Sequence, residues 1–172
     1  MQDVENLFLE VSKAIDERDM SGAKELLEEI LQIDPGYGRA HNHLGWIYET
    51  KIKDFEKAKQ HYHLAVKFCK GSYPVAYVNY GYLLIEFGYL EEAEKIIAEG
   101  LSVPGADKAT LNYQKGKIAE QRQDHKTALL YYRYAQQICF NKDFFSLLDN
   151  EILRLKSKMG FWDKLKVKFL NS

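Results

Sequence analysis

Residues 75–101 read VAYVNYGYLLIEFGYLEEAEKIIAEGL. Apolar residues recur there at three- and four-residue spacing on either side of Phe87-Gly88-Tyr89-Leu90, which predicts two short amphipathic helices joined by a tight turn. Small residues fall where the two helices would touch: Gly81 in the first, Ala93 and Gly100 in the second. Comparable units can be laid before and after this one, so the chain reads as an array of helical hairpins.

The array becomes explicit when each hairpin is aligned on the small residue of its first helix and its counterpart in the second. The pairs are Val11/Ala23, Gly45/Ala58, Gly81/Ala93 and Gly116/Ala128, and their starts lie 34, 36 and 35 residues apart. Turn chemistry falls between the helices: Asp19 with Gly22, then Gly88, then Asp124. Pro35 and Pro104 follow helix ends, and Pro74 opens a helix at its first turn. The second unit carries an extra residue in its internal turn, between Lys51 and Asp54, an insertion a loop absorbs cheaply.

This spacing and these residues resemble the tetratricopeptide repeat, whose unit is a helix–turn–helix with the pattern W-x₂-L-G-x₂-Y, then Ala, an aromatic, Ala and Pro. The first unit is divergent, with Leu7, Val11, Ala14, Ala23, Leu27, Ile30 and Pro35; the second has Leu44-Gly45, Tyr48, Ala58, Tyr62 and Ala65. The third has Tyr77, Tyr80-Gly81, Leu84, Ala93, Ile97 and Gly100, and the fourth Gly116, Ala119, Ala128, Tyr132 and Ala135. The expected fold is an all-α solenoid of four tetratricopeptide-like hairpins, at about 4–37, 38–73, 74–108 and 109–142. A capping helix over 143–158 carries Phe145, Leu148, Ile152 and Leu155, and completes a repeat domain over 1–158. Residues 159–172 form a basic amphipathic tail.

Composition narrows the function. The 172 residues carry a net charge of -1, so nothing in the total draws the chain to nucleic acid or membrane. Charge is unevenly spread, however: residues 1–35 sum to -7 and residues 152–172 to +5. Cys69 and Cys139 have no CxxC spacing and read as reduced thiols. The N-terminus lacks the basic start and apolar run of a secretory signal, and no apolar run is long enough to span a bilayer; a cytoplasmic location is the expectation.

Catalytic and metal signatures are missing from the sequence: there is no GxSxG, Walker A loop, GxGxxG or HExxH. His41/His43 and His61/His63 are each two residues apart, and two residues turn a helix by about 200°, so neither pair can chelate one ion. The expectation is no enzyme, no metal and no cofactor.

The resemblance implies a concave groove lined by the first helices of successive repeats, binding a peptide or protein segment. Carried onto this chain, the groove positions are Arg39, Asn42, His43, Trp46 and Glu49 in the second unit. The third unit gives Val78, Asn79, Tyr82, Ile85 and Glu86, and the fourth Tyr113, Gln114, Lys117 and Glu120. Trp46, Tyr82 and Tyr113 are the expected apolar anchors, with Asn42, Asn79 and Gln114 as hydrogen-bonding amides. Co-chaperone members of the family grip a terminal carboxylate with Lys, Asn, Asn, Lys and Arg. Here those places hold Asn42, Trp46, Asn79, Thr110 and Gln114, or Phe8, Ser12, His43, Val75 and Asn79 one unit earlier, so no such clamp is expected.

The tail has three readings. As a helix it groups Trp162, Leu165 and Phe169 with Lys164 and Lys168 flanking, as on a membrane surface. It can instead fold onto the cap or into a groove, its own or a second copy's, or remain a solvated terminus. The sequence therefore carries three functions: a peptide-binding scaffold, a membrane-associated assembly factor docked by the tail, and a self-associating scaffold. Nucleic acid is not an expected partner, because no basic stripe runs along the repeats.

Overall fold

A computed structural model describes residues 3–158. The chain is an all-α solenoid. Its described helices are α1 (Val4–Asp16), α2 (Met20–Ile33), α3 (Gly38–Ile47), α4 (Phe55–Phe68), α5 (Pro74–Glu86), α6 (Leu90–Ser102), α7 (Lys108–Gln121), α8 (His125–Gln137) and α9 (Lys142–Lys158). They pair as four hairpins, with α9 following alone, and the described residues contain no strand.

Local chemistry starts and stops these helices. Asp19, Asp54, Asp107 and Asp124 cap α2, α4, α7 and α8, each carboxylate accepting from the backbone N–H three residues on, at 2.9–3.1 Å. Within the hairpins the reversal is made by one left-handed residue per unit: Arg18, Lys53, Gly88 and Gln123, spaced 35 residues apart. Only the third is the glycine that this conformation favours. In the first, third and fourth units the turn closes through a hydrogen bond five residues back, as in Tyr89 N–H to Leu84 O at 2.8 Å. In the second, Asp54 N–H reaches six residues back to Tyr48 O at 3.0 Å. The inserted residue therefore sits in a π-helical turn, Tyr48–Ile52, rather than in a loop. Widening the helix by one residue keeps the backbone bonded and leaves the hairpin's register intact.

The small residues act as the spacing requires. A Cβ on Gly45 would stand 2.7 Å from the Tyr62 ring, and the Tyr132 ring covers Gly116 in the same way. Both rings are fully buried, each contributing about 2–3 kcal/mol by leaving water. The third unit differs: its second helix offers Ile97, and the space over Gly81 is filled by Gln114 from the next unit. One apolar core runs from Leu7 to Ile118, and a second lies under α7, α8 and α9 around Tyr132, Leu148, Ile152 and Leu155.

The first helices form the inner layer. α3, α5 and α7 touch one another in series, whereas each second helix packs on its partner and on the next first helix. Elements that stay in contact lie on the inside of the curve. α9 continues the inner row, burying Leu148, Ile152 and Leu155. Phe145, expected among the cap's core residues, is 44% exposed; the neighbouring Phe144 packs edge-on against Tyr113 instead.

Candidate functional site

Several groove positions are consumed by packing between neighbouring inner helices. Arg39 bonds Glu5 at 3.0 Å and lies over the Phe8 ring. His43 bonds its own helix at Arg39 O, 2.9 Å away, and meets Phe8 edge-on; burial lowers its pKa. Asn42 is buried and accepts from Asn79 Nδ2 at 3.1 Å. Gln114 is fully buried, donating from Nε2 to Val78 O at 2.8 Å, while its Oε1 has no partner. The three amides expected to meet a peptide thus stitch α3 to α5 and α5 to α7.

Tyr113 is also covered. It is 8% exposed, set at a tilt against Tyr132 and edge-on to Phe144, with its hydroxyl 3.5 Å from Glu151; burial raises its pKa. Lys117 is half-buried and pairs with Glu151 at 3.8 Å. The cause in both cases is α9, which lies across the inner face of the fourth unit.

What stays open is the wall made by α3 and α5. Trp46 is half-buried, with Lys51 Nζ 5.4 Å from its ring centroid. One helix on, Tyr82 is 38% exposed, yet burial of its hydroxyl end, with Asp107 near it, pushes its pKa up to about 12. Val78 is half-buried and Glu86 is exposed. On the same side, Glu49 is half-buried and accepts from Tyr62 Oη at 2.6 Å. Burial, with Glu86 nearby, raises its pKa despite that hydrogen bond. Two hollows of about 460 and 470 Å³ lie elsewhere, on the outer seam between α4 and the following hairpin. In them Lys59 bonds Glu92 at 3.0 Å and stands 3.6 Å over the Tyr89 ring.

One pairing of side chains was not visible along the sequence. The hairpin brings His41 and His61 together, Nδ1 to Nδ1 at 3.0 Å. His41 Nε2 faces Pro35 O at 3.1 Å and must donate to it, so His41 Nδ1 accepts from His61. Burial lowers both pKa values, that of His61 to about 4. No third ligand joins them: among the described residues no group of three His, Cys, Asp or Glu side chains could hold a metal ion. Cys69 is buried, which raises its thiol pKa. No described helix is long and apolar enough to cross a membrane. Trp162, Lys164, Leu165, Lys168 and Phe169 lie outside the described residues.

Stacked hairpins with an inner wall of this kind define a helical-repeat protein. Comparison gives the repeat: residues 38–70 and 74–106 each match the tetratricopeptide repeat model, so the second and third units are tetratricopeptide repeats. Among solved structures it is similar to PilF of Pseudomonas aeruginosa, with a TM-score of 0.75 and 19% identity over 90% of this chain and 69% of that one. It is similar to MamA (TM-score 0.68, 17% identity, 96% and 91% covered). A third is PilW, a type IV pilus biogenesis factor (TM-score 0.69, 15% identity, 95% and 82% covered). At these identities the likeness is one of fold. No curated protein matches the chain. Tetratricopeptide-repeat proteins are in general non-catalytic scaffolds for protein partners.

Proposed function

We propose that this chain is a non-catalytic scaffold that holds a peptide or protein segment against the inner wall of its second and third units. The observation that carries the reading is the contrast along that wall. Trp46, Val78 and Tyr82 keep open surface on α3 and α5, whereas Tyr113 and Gln114 one unit later are sealed by packing. Large aromatics held on rigid helices lose little entropy on binding and are the residues most often dominant at interfaces. The contact set is thus Trp46, Val78, Tyr82 and Glu86, with Glu49 beside them. Arg39, Asn42, His43, Asn79, Tyr113, Gln114 and Lys117 support the wall.

Affinity capture from a lysate of the native host tests this, comparing wild type with a Trp46→Ala/Tyr82→Ala double variant of equal helicity by circular dichroism. The expected result is a protein retained by wild type and lost by the variant. Retention of the same protein by both forms would remove the groove from consideration.

A further inference from the structure

The second and fourth units contain the same polar device, completed differently. Each has a glycine followed four residues later by a glutamate, Gly45/Glu49 and Gly116/Glu120, and a second-helix tyrosine that crosses the glycine to donate to that glutamate. Tyr132 Oη reaches Glu120 at 3.0 Å, as Tyr62 Oη reaches Glu49 at 2.6 Å. At Glu120 the next inner helix supplies a guanidinium: Arg154 of α9 makes two hydrogen bonds of 2.6 Å, and Lys158 adds a third contact at 3.3 Å. At Glu49 the next inner helix is α5, whose Leu83 stands where α9 has Arg154, since Tyr77, Gly81 and Leu84 match Leu148, Ile152 and Leu155, and whose Glu86 acts on Glu49. Neither Glu49 nor Glu86 takes part in an ion pair among the described residues; Lys53 acts on Glu49 only through its field, as the smallest of the influences on that carboxyl.

An aromatic accompanies each of these carboxylates. Trp46 lies at the end of α3, three residues before Glu49, which lies in the π-helical turn that follows, and Tyr82 and Glu86 are four apart on one face of α5. We propose that this wall docks a partner segment through an arginine, whose guanidinium binds Glu49 beside Glu86 in the manner of Arg154 at Glu120 and rests on Trp46. The inference builds on the groove reading above and adds the chemistry of the occupant. Arginine fits better than lysine, because its planar fork satisfies a carboxylate with two parallel bonds and stacks on an aromatic face. Apolar residues on either side of it would meet Val78 and Tyr82.

The test is selection from a random linear peptide library on the full chain, with Glu49→Gln/Glu86→Gln and Trp46→Ala/Tyr82→Ala double variants in parallel. Glutamine keeps an acceptor for Tyr62, so the fold is retained. Wild type is expected to enrich arginine flanked by apolar residues, and the glutamine variant to lose that enrichment. Glu49→Gln alone should weaken a selected peptide about tenfold, and Glu29→Gln, an exposed charge on α2, should leave it unchanged. Arginine enrichment that survives in the glutamine variant, or binders without a basic preference, overturns the inference. In either case loss of binding in Trp46→Ala/Tyr82→Ala would leave the groove reading standing. Binders indifferent to Trp46→Ala/Tyr82→Ala, or none at all, overturn both. Binders gained only after Lys164, Lys166 and Lys168 are changed to Gln would make the chain's own C-terminal segment the occupant and overturn the assignment to a partner.

Discussion

The second and fourth units share a skeleton and differ in what covers it. In the fourth, α9 brings Arg154 to Glu120 and Phe144 to Tyr113, and the inner face becomes interior. In the second, α5 brings Leu83 and Glu86, and the equivalent carboxylate has Tyr62 as its hydrogen-bond partner and no ion pair. The environment reverses the chemistry of one residue type: Glu120 falls to about 2 because Arg154 bonds it, while Glu49 is raised by burial. In a repeat protein, then, a glutamate at one repeat position is structural or available according to the helix that follows it.

The largest effect expected from this comparison comes from Arg154→Ala, which strands the largely buried Glu120. Allowing for the partial exposure of Arg154, the loss should be about 2 kcal/mol in urea unfolding. Glu49→Gln should instead leave stability unchanged or raise it by up to about 1 kcal/mol, since it removes a desolvated charge facing Glu86. Losses of equal size in the two variants would break the comparison.

Acid unfolding gives the next effect. The folded pKa of Glu120 lies below its ordinary value of 4.5, so its contribution is complete above pH 4.5 and disappears as pH falls toward 2. Glu49, shifted upward, has the opposite sign: its penalty is present at neutral pH and relieved on acidification. His61, held neutral by burial, adds a loss between pH 6.5 and about 4. In Arg154→Met the segment below pH 4.5 should flatten while the His61 segment persists, as read by thermal melts across pH.

Hydroxyl removal sharpens the contrast further. Tyr62→Phe takes the sole donor from Glu49 and should cost about 1.5 kcal/mol, whereas Tyr132→Phe leaves Glu120 its guanidinium and should cost about 0.5 kcal/mol. The smallest effect belongs to the turns. Lys53→Gly and Gln123→Gly relieve left-handed backbone and should each add about 0.5 kcal/mol in the same unfolding assay. A loss at either position would mean that its side chain contributes something the backbone strain conceals.

Much of this architecture is legible in the sequence because it depends on residue size. Gly45 and Gly116 mark where a tyrosine crosses, and the 34- to 36-residue spacing places the hairpins. Size does not reveal which polar groups a neighbouring repeat will consume. Gln114 sits at a position that faces inward by pattern, but Gly81 beneath it has no tyrosine from its own hairpin, and the amide fills the gap and bonds Val78 O. The signal was Ile97 where the second and fourth units have tyrosine. Arg18, Lys53 and Gln123 escaped notice as turn residues because none is a glycine or asparagine. His41 and His61 escaped because only the hairpin, not spacing within one helix, brings them together.

The central claim is that Glu49 is the unfilled counterpart of Glu120, and side-chain carboxyl carbon NMR between pH 7 and 3 tests it most directly. The account predicts that at pH 3 Glu120 remains ionised while Glu49 is protonated, and that a bound arginine peptide lowers the Glu49 titration. If the two carboxyls titrate together, or Glu49 stays ionised at pH 3 without a ligand, the second unit already holds its cation and has no site to offer.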